Sequence, residues 1–116
     1  MKVSTFSVSN IMVVGYFSDV KLNELPLSEQ TIKAINELGF DKATEIQARS
    51  IPHIINGRDV LGQAKTGSGK TLAYMVPAVE MLRRAHFTPQ RGTGVLIIAP
   101  TRELAMHNYK WARDLL

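Results

Sequence analysis

Ala64-Lys65-Thr66-Gly67-Ser68-Gly69-Lys70-Thr71 lies between an apolar pair, Val60-Leu61, and a helix-like run from Leu72 to Leu82. A glycine-rich turn between a strand and a helix lets successive backbone N–H groups converge on one point. The helix N-terminus adds its partial positive charge, and a lysine supplies a full one. The arrangement is a phosphate cradle. It places Lys70 to reach the β- and γ-phosphates of a nucleoside triphosphate and the Thr71 hydroxyl to hold Mg²⁺. The usual pattern opens with glycine, where this chain has Ala64. A flexible Gly/Ser linker is the plain alternative, and Gly-Lys-Thr set directly before an amphipathic helix argues against it.

Outward from the loop, the chain alternates helix and strand. Residues 28–38 place Ile32, Ile35 and Leu38 at helical spacing, with Ser28 at the start and Gly39 as the stop. Thr44 opens a second helix, which Pro52 restarts as a first-turn proline and Asn56-Gly57 closes. Residues 59–63 read as a short buried strand entering the loop. From Lys70, one apolar face carries Leu72, Met75, Val76, Val79 and Leu82, and Pro77 inside it predicts a kink. Residues 94–99 are apolar on both faces, as a central parallel strand would be. A last helix begins near Arg102 and aligns Leu104, Asn108, Trp111 and Leu115.

Strand, phosphate loop, helix, strand, helix is a doubly wound α/β pattern. Only two strands can be counted in it, and parallel sheets need several, covered on both faces. The sheet is therefore expected to be incomplete: the chain is a fragment, or partners complete it.

Composition excludes several classes. Apolar residues make up 45% and charged residues 21%, values close to a soluble globular average. The longest uninterrupted apolar run, Val95-Leu96-Ile97-Ile98-Ala99, falls far short of a membrane span. The patch Ile11-Met12-Val13-Val14 is too brief for a signal-peptide core. With no cysteine, disulfides and thiolate metal sites are excluded, as suits a reducing compartment. The formal net charge of +4 favours an anionic partner. Arg83, Arg84, Arg91, Arg102, Lys110 and Arg113 face only Glu103 and Asp114 in that stretch. Such a cluster suits either a solvated face or a phosphate backbone.

Two further segments narrow the class: Gly39-Phe40-Asp41-Lys42-Ala43-Thr44-Glu45-Ile46-Gln47, and Pro100-Thr101-Arg102-Glu103-Leu104-Ala105. With residues 64–71, they resemble the Q motif, motif Ia and motif I of DEAD-box RNA helicases, in family order along the chain. The resemblance covers residues 17–116, the N-terminal part of a first RecA-like P-loop helicase lobe. Residues 1–16 remain a leader of unknown role. Gly92-Thr93-Gly94-Val95-Leu96-Ile97-Ile98 and Glu103-Leu104-Ala105-Met106 look most like the nucleolar Has/pitchoune-type branch.

The resemblance implies ATP and Mg²⁺ as cofactors, RNA as partner, a second RecA-like lobe, no membrane, a nuclear and nucleolar location, and a part in ribosome biogenesis. Gln47 would read the adenine edge, since an amide presents a donor beside an acceptor. Its rival role is a capping box with Thr44, and the two can coexist. Phe17 looks like the upstream aromatic that stacks on adenine, although its distance to Gly39 is longer than usual; a core or staple phenylalanine is the alternative. Pro100, Thr101, Arg102 and Glu103 would grip the RNA backbone at a helix N-terminus. Arg102 there opposes the helix dipole, which favours function over stability.

Two positions depart from the pattern: Ala43 replaces the commonest proline, and His107 stands where glutamine usually follows motif Ia. The family's Asp-Glu-Ala-Asp segment does not occur in these 116 residues. The expectation is an ATP- and RNA-binding part of a helicase, inactive alone. A free-standing ATP/RNA-binding regulatory module and an unrelated P-loop kinase or GTPase are the alternatives. The last would have no use for Gln47 or residues 100–105.

Overall fold

The computed structural model describes residues 8–12, 17–65, 67 and 69–116. Two helices, α2 (Glu45–Ile55) and α3 (Lys70–Arg84), form its frame, with β4 (Asp59–Gln63) running between them into the phosphate loop. Helix α1 (Glu29–Glu37) and helix α4 (Arg102–Leu115) pack against α3. Three further strands, β1 (Val8–Met12), β2 (Phe17–Lys21) and β3 (Lys42–Thr44), complete the described elements beside short 3₁₀ turns at Leu22–Glu24 and Pro89–Arg91. None of these helices is long and apolar enough to cross a membrane.

The core follows the helical periodicity. Leu72, Met75, Val76 and Val79 of α3 are buried with Ile35 of α1, Ile51 of α2 and Leu115 of α4. Burying an aliphatic side chain of this size contributes about 1.5–3 kcal/mol. Pro52 does not restart α2. The helix runs through it unbroken, with Asn56 as C-cap and Gly57 beyond at a φ of 80°. Position 52 lies in the eighth residue of the helix, so continuity there rests on packing of Ile46, Ser50 and Ile51, all buried. Pro77 likewise sits buried inside a continuous α3.

One buried residue escaped the apolar pattern. Glu80 is fully buried on α3 and accepts hydrogen bonds from the Ser28 N–H and hydroxyl, both at 2.9 Å. Arg84 closes the carboxylate at 2.9 Å and reaches the Pro26 carbonyl at 2.7 Å. Burial alone would raise the Glu80 pKa. Hydrogen bonds from Ser28, Thr31 and Arg84 outweigh it and hold the carboxyl below its ordinary value.

The strands depart most from expectation. Residues 94–99 form no ladder among the described residues, and Leu96 and Ile98 are 78% and 84% exposed. A strand exists through its neighbours, and none of the described strands pairs with this segment. Strand β4 forms where expected, yet it is largely exposed and Leu61 stands out by 53%. Its described partner is β1, in parallel register from Val8 opposite Asp59 to Met12 opposite Gln63. The strands β2 and β3 form a separate antiparallel pair, with Phe17 opposite Thr44. The sheet is thus incomplete, as expected, and among the described residues its strands form two pairs.

Candidate nucleotide site

Gly69 governs the end of the loop. Its φ of 88° is left-handed, and an added Cβ would meet the Gln47 Nε2 at 2.6 Å. Only glycine fits that conformation and that approach without displacing Gln47. Helix α3 then opens at Lys70, with the Ala73 N–H donating to the Gly69 carbonyl at 3.2 Å.

Helix α2 opens on Thr44, whose hydroxyl accepts from the Gln47 N–H at 3.4 Å, while Gln47 Oε1 accepts from the Thr44 N–H at 3.0 Å. This is a complete capping box. The other end of the Gln47 amide donates from Nε2 to the Gly69 carbonyl at 3.1 Å. The residue expected at the adenine is therefore also a brace between the α2 cap and the loop. A glutamine amide has two acceptor lone pairs and two N–H donors. One of each is used here, which leaves a donor and an acceptor for a base edge.

Lys70, Thr71, Thr44, Gln47, Gly67 and Gly69 line a cavity of about 590 Å³. That size lies within the usual range for a small-molecule site. Its far wall was not expected from the sequence: Phe40 and Lys42 before α2, Leu72 on α3, and Leu104, His107 and Trp111 on α4. Trp111 donates its indole N–H to His107 Nε2 at 2.8 Å, and its ring lies 5.6 Å from that of Phe40. His107 is thus a helix-face residue held by a neighbouring ring. The i, i+4 spacing of His107 and Trp111 was the available signal.

The remaining sequence candidates distribute as follows. Thr66 and Ser68 lie outside the described residues, as do 1–7 and 13–16 of the leader. Ala64 packs partly buried beside Ile11, Ile46 and Ala73, and Lys65 is exposed at the loop entrance. Phe17 has its backbone opposite Thr44. Pro100, Thr101, Arg102 and Glu103 are all exposed at the start of α4. Thr101 caps that helix by accepting from the Leu104 N–H at 3.1 Å, and Leu104 lines the cavity. The segment expected to meet RNA therefore adjoins the nucleotide cavity by one helical turn.

Four of the six basic residues in the cluster are engaged within the chain, Arg113 through an ion pair to Asp114 at 3.6 Å. Arg83 donates to Thr31 at 2.8 Å and to the Leu115 carbonyl at 2.6 Å, Arg84 holds Glu80, and Arg91 reaches the Ala85 carbonyl. Arg102 and Lys110 remain on the exposed surface of α4.

The donor set suits a nucleotide-borne Mg²⁺. Thr71 offers one hydroxyl at the cavity, and among the described residues no group of three His, Cys, Asp or Glu side chains gathers to hold a metal. Mg²⁺ commonly keeps its waters and takes its other ligands from substrate phosphates, so one protein oxygen is compatible with it.

A strand entering a glycine-bearing loop, followed by a helix that opens on Lys-Thr, defines an α/β lobe of the P-loop class. A family model described as DEAD/DEAH box helicase matches residues 44–116, and the chain belongs to that family. It is similar to DEAD-box ATP-dependent RNA helicase 27 of Oryza sativa subsp. japonica, 53% identical over 88% of this chain and 17% of the relative. It is also similar to ATP-dependent RNA helicase HAS1 of Pyricularia oryzae, 62% identical over 81% of this chain and 16% of the relative. The chain thus spans about a sixth of the length of these relatives.

Among solved structures, a DEAD box protein from Methanococcus jannaschii matches 88% of this chain and 26% of its own, at a TM-score of 0.73 and 36% identity. The DEAD-box helicase Mss116 bound to ssRNA and UDP-BeF matches 92% of this chain and 22% of its own, at 0.75 and 31%. The fold is accordingly a RecA-like lobe with a partial sheet.

Proposed function

We propose that this chain supplies the ATP-binding loop, the adenine-reading segment and one RNA-contacting segment of an ATP-dependent RNA helicase. The observation that carries the reading is the Gln47 bridge. One side chain ties the α2 cap to the Gly69 carbonyl, beside Lys70 and Thr71, at the wall of a cavity of about 590 Å³. Lys70 offers its ammonium to the β- and γ-phosphates, and the N-terminus of α3 adds its dipole. Thr71 would hold Mg²⁺, which when bound neutralises phosphate charge. The unused donor and acceptor of Gln47 match the N6/N7 edge of adenine and favour ATP over GTP. Phe17 is assigned to stack on the base, and Ala64 to Ser68 to wrap the phosphates.

Pro100 to Glu103 present a helix N-terminus and a cation to an RNA backbone. RNA binding is supported by the ssRNA-bound relative. The names of the HAS1 relatives, with the likeness to the Has/pitchoune-type branch, support a nucleolar role in ribosome biogenesis. In the full protein a second RecA-like lobe completes the site, and residues 17–116 are the N-terminal part of the first.

ATP titration of the folded Lys70→Ala variant tests the loop. Loss of a charge-assisted phosphate contact of about 1.5–3 kcal/mol lowers affinity by roughly tenfold or more. Unchanged affinity removes the phosphate-loop assignment.

A further inference from the structure

Helix α4 has two working sides. At 3.6 residues per turn, Leu104, Asn108, Trp111 and Leu115 fall on one side, where Asn108 and Leu115 are buried. Arg102, Met106, Tyr109 and Arg113 follow at i, i+4, i+7 and i+11 and form a stripe on the opposite side, with Lys110 beside it. All five are exposed. Met106 and Tyr109 stand out by 62% and 63%, so two large side chains lie where the helix meets no core. Single exposed apolar residues are ordinary, whereas these two sit one turn apart and are framed by three cations. Among the described residues Arg102 and Lys110 form no ion pair, and Arg113 has an exposed contact to Asp114 at 3.6 Å. Exposed pairs contribute little, so Arg113 stays available to a stronger anion. Glu103, the other carboxylate of α4, sits in the first turn, where the helix dipole favours it. Cations interleaved with a tyrosine and a thioether suit a single-stranded nucleic acid: the cations follow phosphates, and a ring stacks on any base. From Arg102 to Arg113 the stripe is about 16 Å long at a rise of about 1.5 Å per residue, enough for a few nucleotides.

We propose that the outer face of α4, formed by Met106, Tyr109, Lys110 and Arg113, is a surface for single-stranded RNA that continues from residues 100–103 along the helix. It rests on the reading of those residues as an RNA contact and extends the contact by three turns. Lys110 and Arg113 take backbone phosphates, Tyr109 stacks on a base, and Met106 packs beside it. Continuity with the exposed start of the same helix, together with an aromatic ring set among the cations, favours RNA over an acidic protein surface. Nothing on this face reads a base edge, so its recognition is independent of sequence.

The test is fluorescence anisotropy of a labelled oligouridylate of about 12 nucleotides with the full chain over a salt series. The double variant Lys110→Gln, Arg113→Gln lowers affinity by about tenfold at low salt and flattens the log–log salt slope by about 1.4, the value for two phosphates of a single strand. Tyr109→Ala lowers affinity by about fivefold or more at every salt concentration, and Tyr109→Phe behaves as the parent. Should Tyr109→Ala unfold the chain, Tyr109→Leu keeps apolar bulk and helix propensity and decides in its place. Parental affinity in the double variant or in the ring-less variant overturns the proposal, as does failure of the parent to bind. Arg102→Ala, measured alongside, separates the two readings. Loss there with parental affinity in the outer-face variants leaves residues 100–103 as the whole RNA contact and overturns the extension. Loss in the outer-face variants alone supports this face and removes residues 100–103. A loss confined to a labelled polyglutamate peptide, with RNA affinity unchanged, overturns the proposal in favour of an acidic protein partner.

Discussion

At the scale of single residues, Gln47 carries two kinds of work. Its backbone N–H and side-chain oxygen close the cap with Thr44, and its side-chain nitrogen holds the Gly69 carbonyl. Gln47→Ala removes the side-chain half of the capping box, the brace and the proposed base reader together, and leaves the backbone N–H at position 47 on the Thr44 hydroxyl. In the folded variant ATP affinity falls more than GTP affinity, because only the adenine edge matches the amide. Parallel titrations of both nucleotides check this; equal losses leave the brace as the whole role. The capping box was legible as Thr44-x-x-Gln47. The contact to Gly69 was not, since it joins residues 22 apart.

Glu80 makes a prediction of a different kind. Its folded pKa lies below the ordinary carboxylate value, so its contribution to stability is present above about pH 4.3. That contribution is lost as pH falls through the lowered folded pKa. Chemical denaturation from neutral pH into the acid range should show the parent losing stability, with a flatter profile for Glu80→Gln. Matching profiles would assign the acid sensitivity to other groups. Nothing in the local sequence announced this carboxylate. It sits on the apolar face of α3, and its partner Ser28 is 52 residues away.

At the scale of elements, α4 joins two tasks along one helix. Its exposed start carries Thr101, Arg102 and Glu103, and its inner face brings Leu104, His107 and Trp111 to the cavity. The hydroxyl of Tyr74 donates to Asn108 at 2.6 Å and ties α4 to α3, the helix that begins at Lys70. Arg102→Ala lies on the exposed end, so the fold tolerates it. Affinity for single-stranded RNA should fall alike for all sequences, with the salt dependence flattened by about one phosphate's worth. Binding isotherms at several salt concentrations test this, and a sequence-selective loss contradicts backbone reading.

Helices were the legible elements because their pattern closes within three or four residues. Ile32 and Ile35 on α1 with Leu38 at its C-cap, and the apolar face of α3, showed in the spacing alone. Residues 94–99 carried an equally clear strand composition without a strand. The composition of a strand states that it can be buried on both faces, and pairing depends on which neighbours reach it.

At the scale of the whole molecule, the described strands make two pairs, β1 with β4 and β2 with β3. Val95, Leu96, Ile97 and Ile98 stand exposed outside both. Phosphoryl transfer requires a positioned water, a held Mg²⁺ and neutralised charge at the γ-phosphate. From this chain, Lys70 and Thr71 are the residues proposed to address the phosphates and the metal, and the relatives are about six times longer. The 116 residues by themselves are expected to show no RNA-stimulated phosphate release, while a form extended through both lobes does. Robust release from the short form would require a different hydrolytic arrangement.

The sequence by itself determined the glycine-rich loop before α3, the helix faces, the Thr44 cap and the family. Each rests on residue types a few positions apart, whose hydrogen bonds and side-chain contacts are local. The tertiary structure alone decided that residues 8–12 pair with β4, that residues 94–99 pair with no described strand, that Glu80 is buried on Ser28, and that Phe40, His107 and Trp111 wall the cavity. Those outcomes join segments tens of residues apart. Their formation depends on which surfaces meet after loop closure, and no local spacing encodes that.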